Sequence, residues 1–139
     1  MNVNFIIFAF FILIEKSSAS NNPANYCIKK LAKTEEACIQ HCKYRHYGFT
    51  NNNFKITKKH IENLRTVLLE FNAVPISQKN QLYDHLKKCA DKANALKPKT
   101  RREKCYKIIT YSRCAYGGKV VSEHKYVKAL IEHDKLINV

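Results

Sequence analysis

The sequence is poor in acidic residues, glycine and proline. Only 11 aspartates and glutamates accompany 25 lysines and arginines, which leaves a formal net charge of +14. With three glycines and three prolines, the chain contains no low-complexity linker, and no nucleophile elbow is present. Alternation of apolar and polar residues never extends beyond a few positions, which argues against a β-sheet domain. We therefore expect an all-α protein that is not an enzyme.

The most apolar run of the sequence lies near its N-terminus. Residues 5–14 form a stretch too short to span a bilayer, and small polar residues follow at 17–20. This pattern predicts a secretory signal peptide at residues 1–20, with a membrane anchor as the alternative. Residues 21–139 then form a single helical domain, a length typical of one domain. No other segment of the sequence is apolar enough to cross a membrane.

The positive charge belongs to the predicted mature chain. Glu15 and Lys16 cancel within the predicted signal peptide, so residues 21–139 keep the whole excess of +14. Such a charge on a small protein predicts a polyanionic partner. We expect the protein to be a monomer.

Six cysteines follow the predicted signal peptide, at positions 27, 38, 42, 89, 105 and 114. An even number in a secreted chain predicts three disulfides, although the sequence alone leaves their pairing open. The alternative is a zinc site composed of Cys38, His41, Cys42 and His46. That cluster lacks a second pair at ligand spacing, so no metal or other cofactor is expected.

Apolar residues recur every three or four positions in several windows, which predicts a compact bundle of about six helices. The first helix is short and contains Cys27 and Leu31. Thr34 is expected to cap the second helix, which ends at Gly48. Thr57 is expected to begin the third helix after an asparagine-rich loop.

The second half of the chain contains three further predicted helices. Ser77 is expected to cap the fourth, whose apolar stripe extends to Leu96. Thr100 and Glu103 form a capping-box pattern for the fifth helix. The sixth begins near Ser122. Its apolar face is expected to contain Tyr126, Val127, Leu130 and Ile131.

The fifth predicted helix carries cysteines on opposite sides. Cys105 and Cys114 are nine residues apart, which is roughly 180° around an ideal α-helix. Disulfides from opposite sides would hold this helix between two others. The spacing thus predicts a sandwiched position for this helix before any pairing is known.

The cysteine spacing resembles that of the insect odorant-binding protein fold family, with C-x3-C at 38–42 and C-x8-C at 105–114. More closely, the run ACIQHCKY at 37–44, with YGF at 47–49 and ITK at 56–58, is similar to small odorant-binding-protein-like salivary proteins of blood-feeding sand flies. The resemblance extends over essentially the whole chain after residue 20. It implies an odorant-binding-like helical fold, secretion into saliva and action in the host's blood. The disulfides implied by the family are Cys27–Cys42, Cys38–Cys105 and Cys89–Cys114.

The role ascribed to this salivary group is to bind anionic polymers and surfaces, which blocks contact activation of clotting. The resemblance therefore implies the same role here. One departure from the ordinary odorant-binding pattern concerns the ligand cavity. Only ten residues separate Cys27 from Cys38, which shortens the N-terminal helix that helps to wall that cavity. We accordingly expect small ligands to bind weakly.

Residues 97–107, termed the basic segment, contain six lysines and arginines and one acid, Glu103. Such clusters neutralise phosphates or sulfates and release their counterions. The expected partners are sulfated, heparin-like glycans or polyphosphate, and the alternative is a charged surface that only favours solubility. The predicted polyanion-binding residues are Lys88, Lys92, Lys97, Lys99, Arg101, Arg102, Lys104, Lys107 and Arg113.

Three other functions are alternatives to polyanion binding by a dedicated site. The first is weak, non-specific nucleic-acid binding, with Tyr106, Tyr111 and Tyr116 as stacking residues. The second is an interaction with proteins alone, such as direct inhibition of a protease. The third is carriage of a small hydrophobic or amine ligand. Its helical cavity would be lined by Phe49, Phe54, Leu64, Leu68, Phe71, Leu86, Ile108 and Tyr126.

Overall fold

The computed structural model describes residues 21–139, so the predicted signal peptide lies outside the described residues. This range folds into a bundle of six α-helices without β-strands, as the sequence predicts. The helices are α1 (Pro23–Leu31), α2 (Ile39–Tyr47), α3 (Lys58–Glu70), α4 (Lys79–Ala95), α5 (Arg101–Tyr116) and α6 (Glu123–Lys135). Short 3-10 turns, Glu36–Cys38 and Ile76–Gln78, precede α2 and α4. Within residues 21–139, none of the helices has the length and hydrophobicity of a membrane span.

Four helix boundaries follow the local signals in the sequence. Thr57 and Thr100 each form a capping box at the start of α3 and α5, and the Ser122 hydroxyl caps α6. Gly48 follows α2 with φ +79°, a left-handed conformation that glycine adopts without a Cβ clash. These predictions are confirmed.

Two predicted caps are wrong because 3-10 turns precede the helices. The backbone N–H groups of Thr34 and Glu35 both donate to Leu31 O, so Thr34 belongs to the turn that ends α1. Ser77 likewise lies inside the second 3-10 turn rather than at the N-cap of α4. A 3-10 turn and the first turn of an α-helix share the same residue preferences, and the sequence pattern does not distinguish them.

All six cysteines form disulfides, and the pairs are Cys27–Cys42, Cys38–Cys105 and Cys89–Cys114. This is the pairing implied by the family resemblance. The second bridge joins α5 to the turn before α2 and the third joins α5 to α4, so α5 is held from two sides as expected. Because the sulfurs of Cys38 and Cys42 are bonded to other cysteines, neither is available as a zinc ligand.

The core lies where α4 packs against α3 and α5, with α2 and α6 covering α5 and α3 respectively. Its largest fully buried side chains include Tyr44, Phe49, Leu64, Leu68, Leu82, Leu86, Ile108 and Tyr111. α6 differs from its predicted apolar face. Tyr126 and Ala129 point inward, whereas Val127 and Ile131 are 44% and 51% exposed. Leu96 lies beyond the end of α4 and is also exposed.

Candidate functional site

The basic segment spans the linker between α4 and α5 and the first turns of α5. The backbone is extended at Leu96, with ψ 144°, and Pro98 disfavours helical continuation there. Five of the six bases of the segment are exposed. They are Lys97, Lys99, Arg101, Arg102 and Lys104. A chain that is first extended and then helical presents these side chains to solvent over a wide arc.

The one acid of the segment is engaged by the backbone. The carboxylate of Glu103 accepts hydrogen bonds from the N–H groups of Lys99 and Thr100, at 2.7 and 3.3 Å. These bonds lower the pKa of Glu103, because they stabilise its charged form. The positive end of the α5 dipole lies at the same place and offsets the negative charge. The acid is therefore part of the helix cap.

The predicted bases outside the segment lie near the disulfide between α4 and α5. Lys88 and Arg113 are sequence neighbours of Cys89 and Cys114, whose Cα atoms are 5.6 Å apart. Lys92 lies one turn beyond Lys88 on α4, and all three bases are exposed. Lys88 and Arg113 thus lie near the C-terminal end of α5, roughly 13 Å along the helix from Lys104 and from the basic segment at its N-terminal end.

Lys107 does not belong to this surface, and its predicted role is wrong. Its side chain is only 8% exposed, and burial, with a smaller contribution from Lys55, lowers its pKa. Lys107 precedes Tyr111 by one helical turn and therefore shares the buried face of α5. The sequence contained this signal, because Ile108, Tyr111 and Ala115 define the apolar face of that helix.

Only part of the predicted tyrosine cluster is accessible. Tyr106 is 43% exposed, and the Arg102 guanidinium lies 5.6 Å from its ring centroid. Tyr116 packs against Tyr126 at 5.4 Å, and Tyr111 is fully buried. A stacking role for Tyr111 in nucleic-acid binding is therefore wrong.

An open cleft of about 680 Å³ lies along the outer side of α5. Arg102, Tyr106 and Arg113 line one wall, and the chain from Ala32 to Cys38 forms the other. Two acids of that second wall, Glu35 and Glu36, lie among these bases. The cleft thus has mixed charge, whereas the basic segment contains six bases and one acid.

A second groove, of about 620 Å³, lies between α2, α5 and α6 and is more apolar. Its apolar walls include Ile39, Ile109, Val127, Leu130 and Ile131. This groove differs from the cavity lining expected for a small-ligand carrier. Of the eight residues expected to line a cavity, Tyr126 lines this groove. The other seven belong to the core or pack against it.

One end of this groove is closed by a buried carboxylate that the sequence analysis missed. Asp134 is 4% exposed and accepts hydrogen bonds from Tyr47 OH at 2.6 Å and from the Ala24 N–H at 2.9 Å. Asn22 donates to the same carboxylate. Burial lowers the pKa of the neighbouring Lys43, and the charge of Asp134 partly opposes this. Asp134 thereby ties the start of α1 to the end of α6.

No protein-family model matches the sequence. The chain is 43% identical over 118 residues to ayaconin of Lutzomyia ayacuchensis, which covers 85% of this chain and 80% of ayaconin. It is 32% identical over 126 residues to salivary protein 15b of Phlebotomus duboscqi, covering 86% of this chain and 87% of that protein. Salivary protein 15a of the same species is 29% identical over 126 residues.

The relatives are salivary proteins of sand flies, which confirms the expectation of secretion into saliva. The similarity covers most of the chain and of each relative, so it includes the helical domain as a whole. On this identity and coverage, the chain belongs to the family of sand fly salivary proteins that includes ayaconin and salivary protein 15b.

Proposed function

We propose that this salivary protein binds linear sulfated or phosphorylated polymers through the basic segment and, by covering them, inhibits contact activation of host clotting. The observation that supports this best is the exposure of five bases at residues 97–104 while Glu103 is bound by the helix cap. Membership in a family of sand fly salivary proteins supports a function in blood feeding.

The chemistry of the segment suits a polymer with repeated charges. Ammonium and guanidinium groups stay charged at blood pH, and each one that meets an anion releases a condensed counterion. Arginine adds bidentate contacts to phosphate or sulfate oxygens. Long, solvated side chains accommodate irregular spacing of the anions, so one segment can bind heparin-like glycans and polyphosphate alike.

Inhibition would follow from binding without any contact to a clotting protease. Contact activation requires proteases to assemble on a negatively charged surface, so a protein that occupies the surface prevents the assembly. This predicts inhibition of clotting triggered by an anionic surface, with no effect on clotting that is started downstream of the contact phase.

The test measures affinity for heparin and for long-chain polyphosphate over a series of salt concentrations. Log affinity is expected to fall linearly with log salt, by roughly 0.7 for each phosphate-like contact on a flexible chain. Surface-triggered clotting is assayed in parallel with clotting started downstream. Affinity that is insensitive to salt, or inhibition of both clotting reactions, would refute the proposal and favour a protein-only target.

The groove between α2, α5 and α6 supports a second candidate function, the binding of a small amphiphile. Apolar walls and the half-buried Lys43 would suit an alkyl chain with a polar head group. The groove is open to solvent, and a site that buries little of its ligand binds weakly. Calorimetry with dodecanoate and dodecylamine is expected to give dissociation constants above about 1 μM. A stoichiometric nanomolar complex would make carriage the primary function.

A further inference from the structure

A third concave surface, termed the disulfide cleft, lies beside two of the three disulfides. It has a volume of about 290 Å³ and is lined by Lys30 of α1, His41 and Arg45 of α2, Asn52 and Arg101. Three of these residues are bases from distant parts of the chain. Its lining within residues 21–139 includes no aspartate or glutamate.

The disulfides determine where these bases lie. Each base is three or four positions from a half-cystine, namely Cys27, Cys42 or Cys105, and residues at that spacing share one face of a helix. One bridge joins α1 to α2, and Cys38–Cys105 joins the start of α2 to α5. Both Cys38 and Cys42 also line the cleft. The three bases are therefore brought together by covalent bonds.

Each base is oriented by one contact and keeps other donors. Arg45 Nη1 donates to Asn52 Oδ1 at 2.9 Å. Lys30 Nζ lies 3.3 Å from Tyr26 OH and 5.5 Å from the centroid of its ring. The Nε of Arg101 donates to Glu35. A guanidinium has five N–H donors and an ammonium has three, so these contacts leave donors for an anion.

The cleft has a rigid inner wall. His41 Nε2 donates to Asn51 O at 3.0 Å, and the ring stacks on Phe54 with centroids 3.9 Å apart. Burial is the main cause of the lowered pKa of His41, and the positive charges of Arg45 and Arg101 lower it further. These two guanidinium groups thus produce a positive potential at the cleft. A bound anion would relieve the repulsion between them.

We propose that the disulfide cleft binds a single phosphate or sulfate group. Its volume admits one such group with several waters, each of about 30 Å³, and its donors come from three directions. The link to polymer binding rests on the proposed function. Arg101 belongs both to the cleft and to the basic segment, so a polymer whose terminal group occupies the cleft would continue along residues 97–104.

The test uses inorganic tripolyphosphate as a short probe and long-chain polyphosphate as the polymer. Calorimetry at low salt compares the parent with the K30Q/R45Q variant. The matched control, K125Q/K128Q, removes the same charge from exposed lysines of α6. We expect one tripolyphosphate per protein, at least tenfold weaker binding for K30Q/R45Q, and a change below twofold for the control. Circular dichroism verifies that each variant is folded.

A second variant keeps the test informative if K30Q/R45Q does not fold. R45K keeps the charge but loses the planar donor pair, so tripolyphosphate affinity is expected to fall severalfold while net charge is unchanged. Equal affinity of R45K and the parent would overturn the proposal, as would equal effects of K30Q/R45Q and K125Q/K128Q.

The two probes separate this proposal from the proposed function. If the parent binds long-chain polyphosphate but not tripolyphosphate, the cleft site is wrong and polymer binding stands. If the parent binds tripolyphosphate with one-to-one stoichiometry but not the polymer, the cleft stands and the polymer function is wrong. Failure to bind either probe overturns both.

Discussion

The basic segment and the disulfide cleft are two positively charged regions that share Arg101 but are built differently. The basic segment consists of neighbours in sequence, and five of its six bases are exposed. The cleft combines residues from three elements that two disulfides hold together. A set of solvated side chains can adapt to a long polymer, whereas fixed walls favour a group of defined size. Positive charge alone therefore does not describe what either region binds.

Removal of the Cys38–Cys105 disulfide is expected to have the largest effect and to separate the two regions. The bridge spans a sequence separation of 67, for which the chain-entropy model gives a loss of about 4 kcal/mol in the free energy of unfolding. A folded C38A/C105A variant should lose tripolyphosphate binding in the cleft. It should keep long-polymer binding within about threefold, since the basic segment needs no fixed wall. Urea denaturation and calorimetry measure the two quantities.

A matched disulfide variant controls for general destabilisation. Cys89–Cys114 spans a separation of 25, so C89A/C114A is expected to lose less stability than C38A/C105A. It leaves both bridges of the cleft intact, and tripolyphosphate binding should persist in the folded protein. If both variants lost tripolyphosphate binding equally, the disulfides would not be what positions the cleft.

Charge reversal in the basic segment is expected to have the next largest effect. The variant K97E/K99E/R102E/K104E changes exposed residues only and leaves Arg101 with its partner Glu35. Long-polymer affinity at low salt should fall by about 100-fold or more, and inhibition of surface-triggered clotting should fall with it. A variant with four exposed lysines reversed elsewhere, K58E/K59E/K125E/K128E, is the control. Equal losses in the two variants would show that net charge, rather than this segment, determines binding.

These two regions also differ in how far the sequence could predict them. The basic segment was found because its six bases lie within eleven residues of the sequence, and the capping box at Thr100 correctly predicted the start of α5. The disulfide cleft was missed because Lys30, Arg45 and Arg101 have no shared pattern in sequence. Their proximity depends on the disulfide pairing, which the residues alone leave open and the family resemblance supplied.

The same distinction explains the other successes and errors. Helix caps and the two-sided position of α5 depend on local spacing, and most were correct. The groove beside α6 depends on how three helices pack, so its lining by Val127 and Ile131 was not predicted. Asp134 was missed for a similar reason, since its partners Asn22, Ala24 and Tyr47 lie about ninety to over a hundred residues earlier in the chain.

Acid is expected to destabilise the bundle through its buried and half-buried histidines. Burial lowers the pKa of His41, His60 and His133 below the ordinary value of 6.5. The unfolded state therefore binds more protons below about pH 6.5, and the free energy of unfolding falls as the pH falls. Protonation of His60 would also cost a helix-cap hydrogen bond, because its Nδ1 accepts the Thr57 N–H at 2.9 Å and a protonated Nδ1 cannot accept it.

Urea denaturation at about pH 7.5 and pH 5.5 measures this effect, and the lower midpoint is expected at the lower pH. The basic segment contains no histidine. Its contribution to the heparin affinity of the folded protein should therefore change little between these two pH values. H60Q keeps an acceptor for the cap and cannot be protonated near neutral pH, so it should reduce the pH dependence. A midpoint that rises at acid pH would contradict the assignment of neutral histidines in the folded state.

The smallest expected effect concerns Lys104 and Lys107, two lysines of α5 that were both predicted to bind the polymer. Lys104 is exposed, whereas Lys107 is 8% exposed. K104M should remove one polymer contact and reduce the salt slope by roughly 0.7. K107M should leave the slope unchanged, and it should stabilise the fold slightly or not at all, because burial already disfavours the ammonium group. Both variants lose the same formal charge, so long-range electrostatics cannot explain a difference between them. Equal slopes for K104M and K107M would mean that the polymer senses the net charge of α5 rather than the side chains that reach its surface.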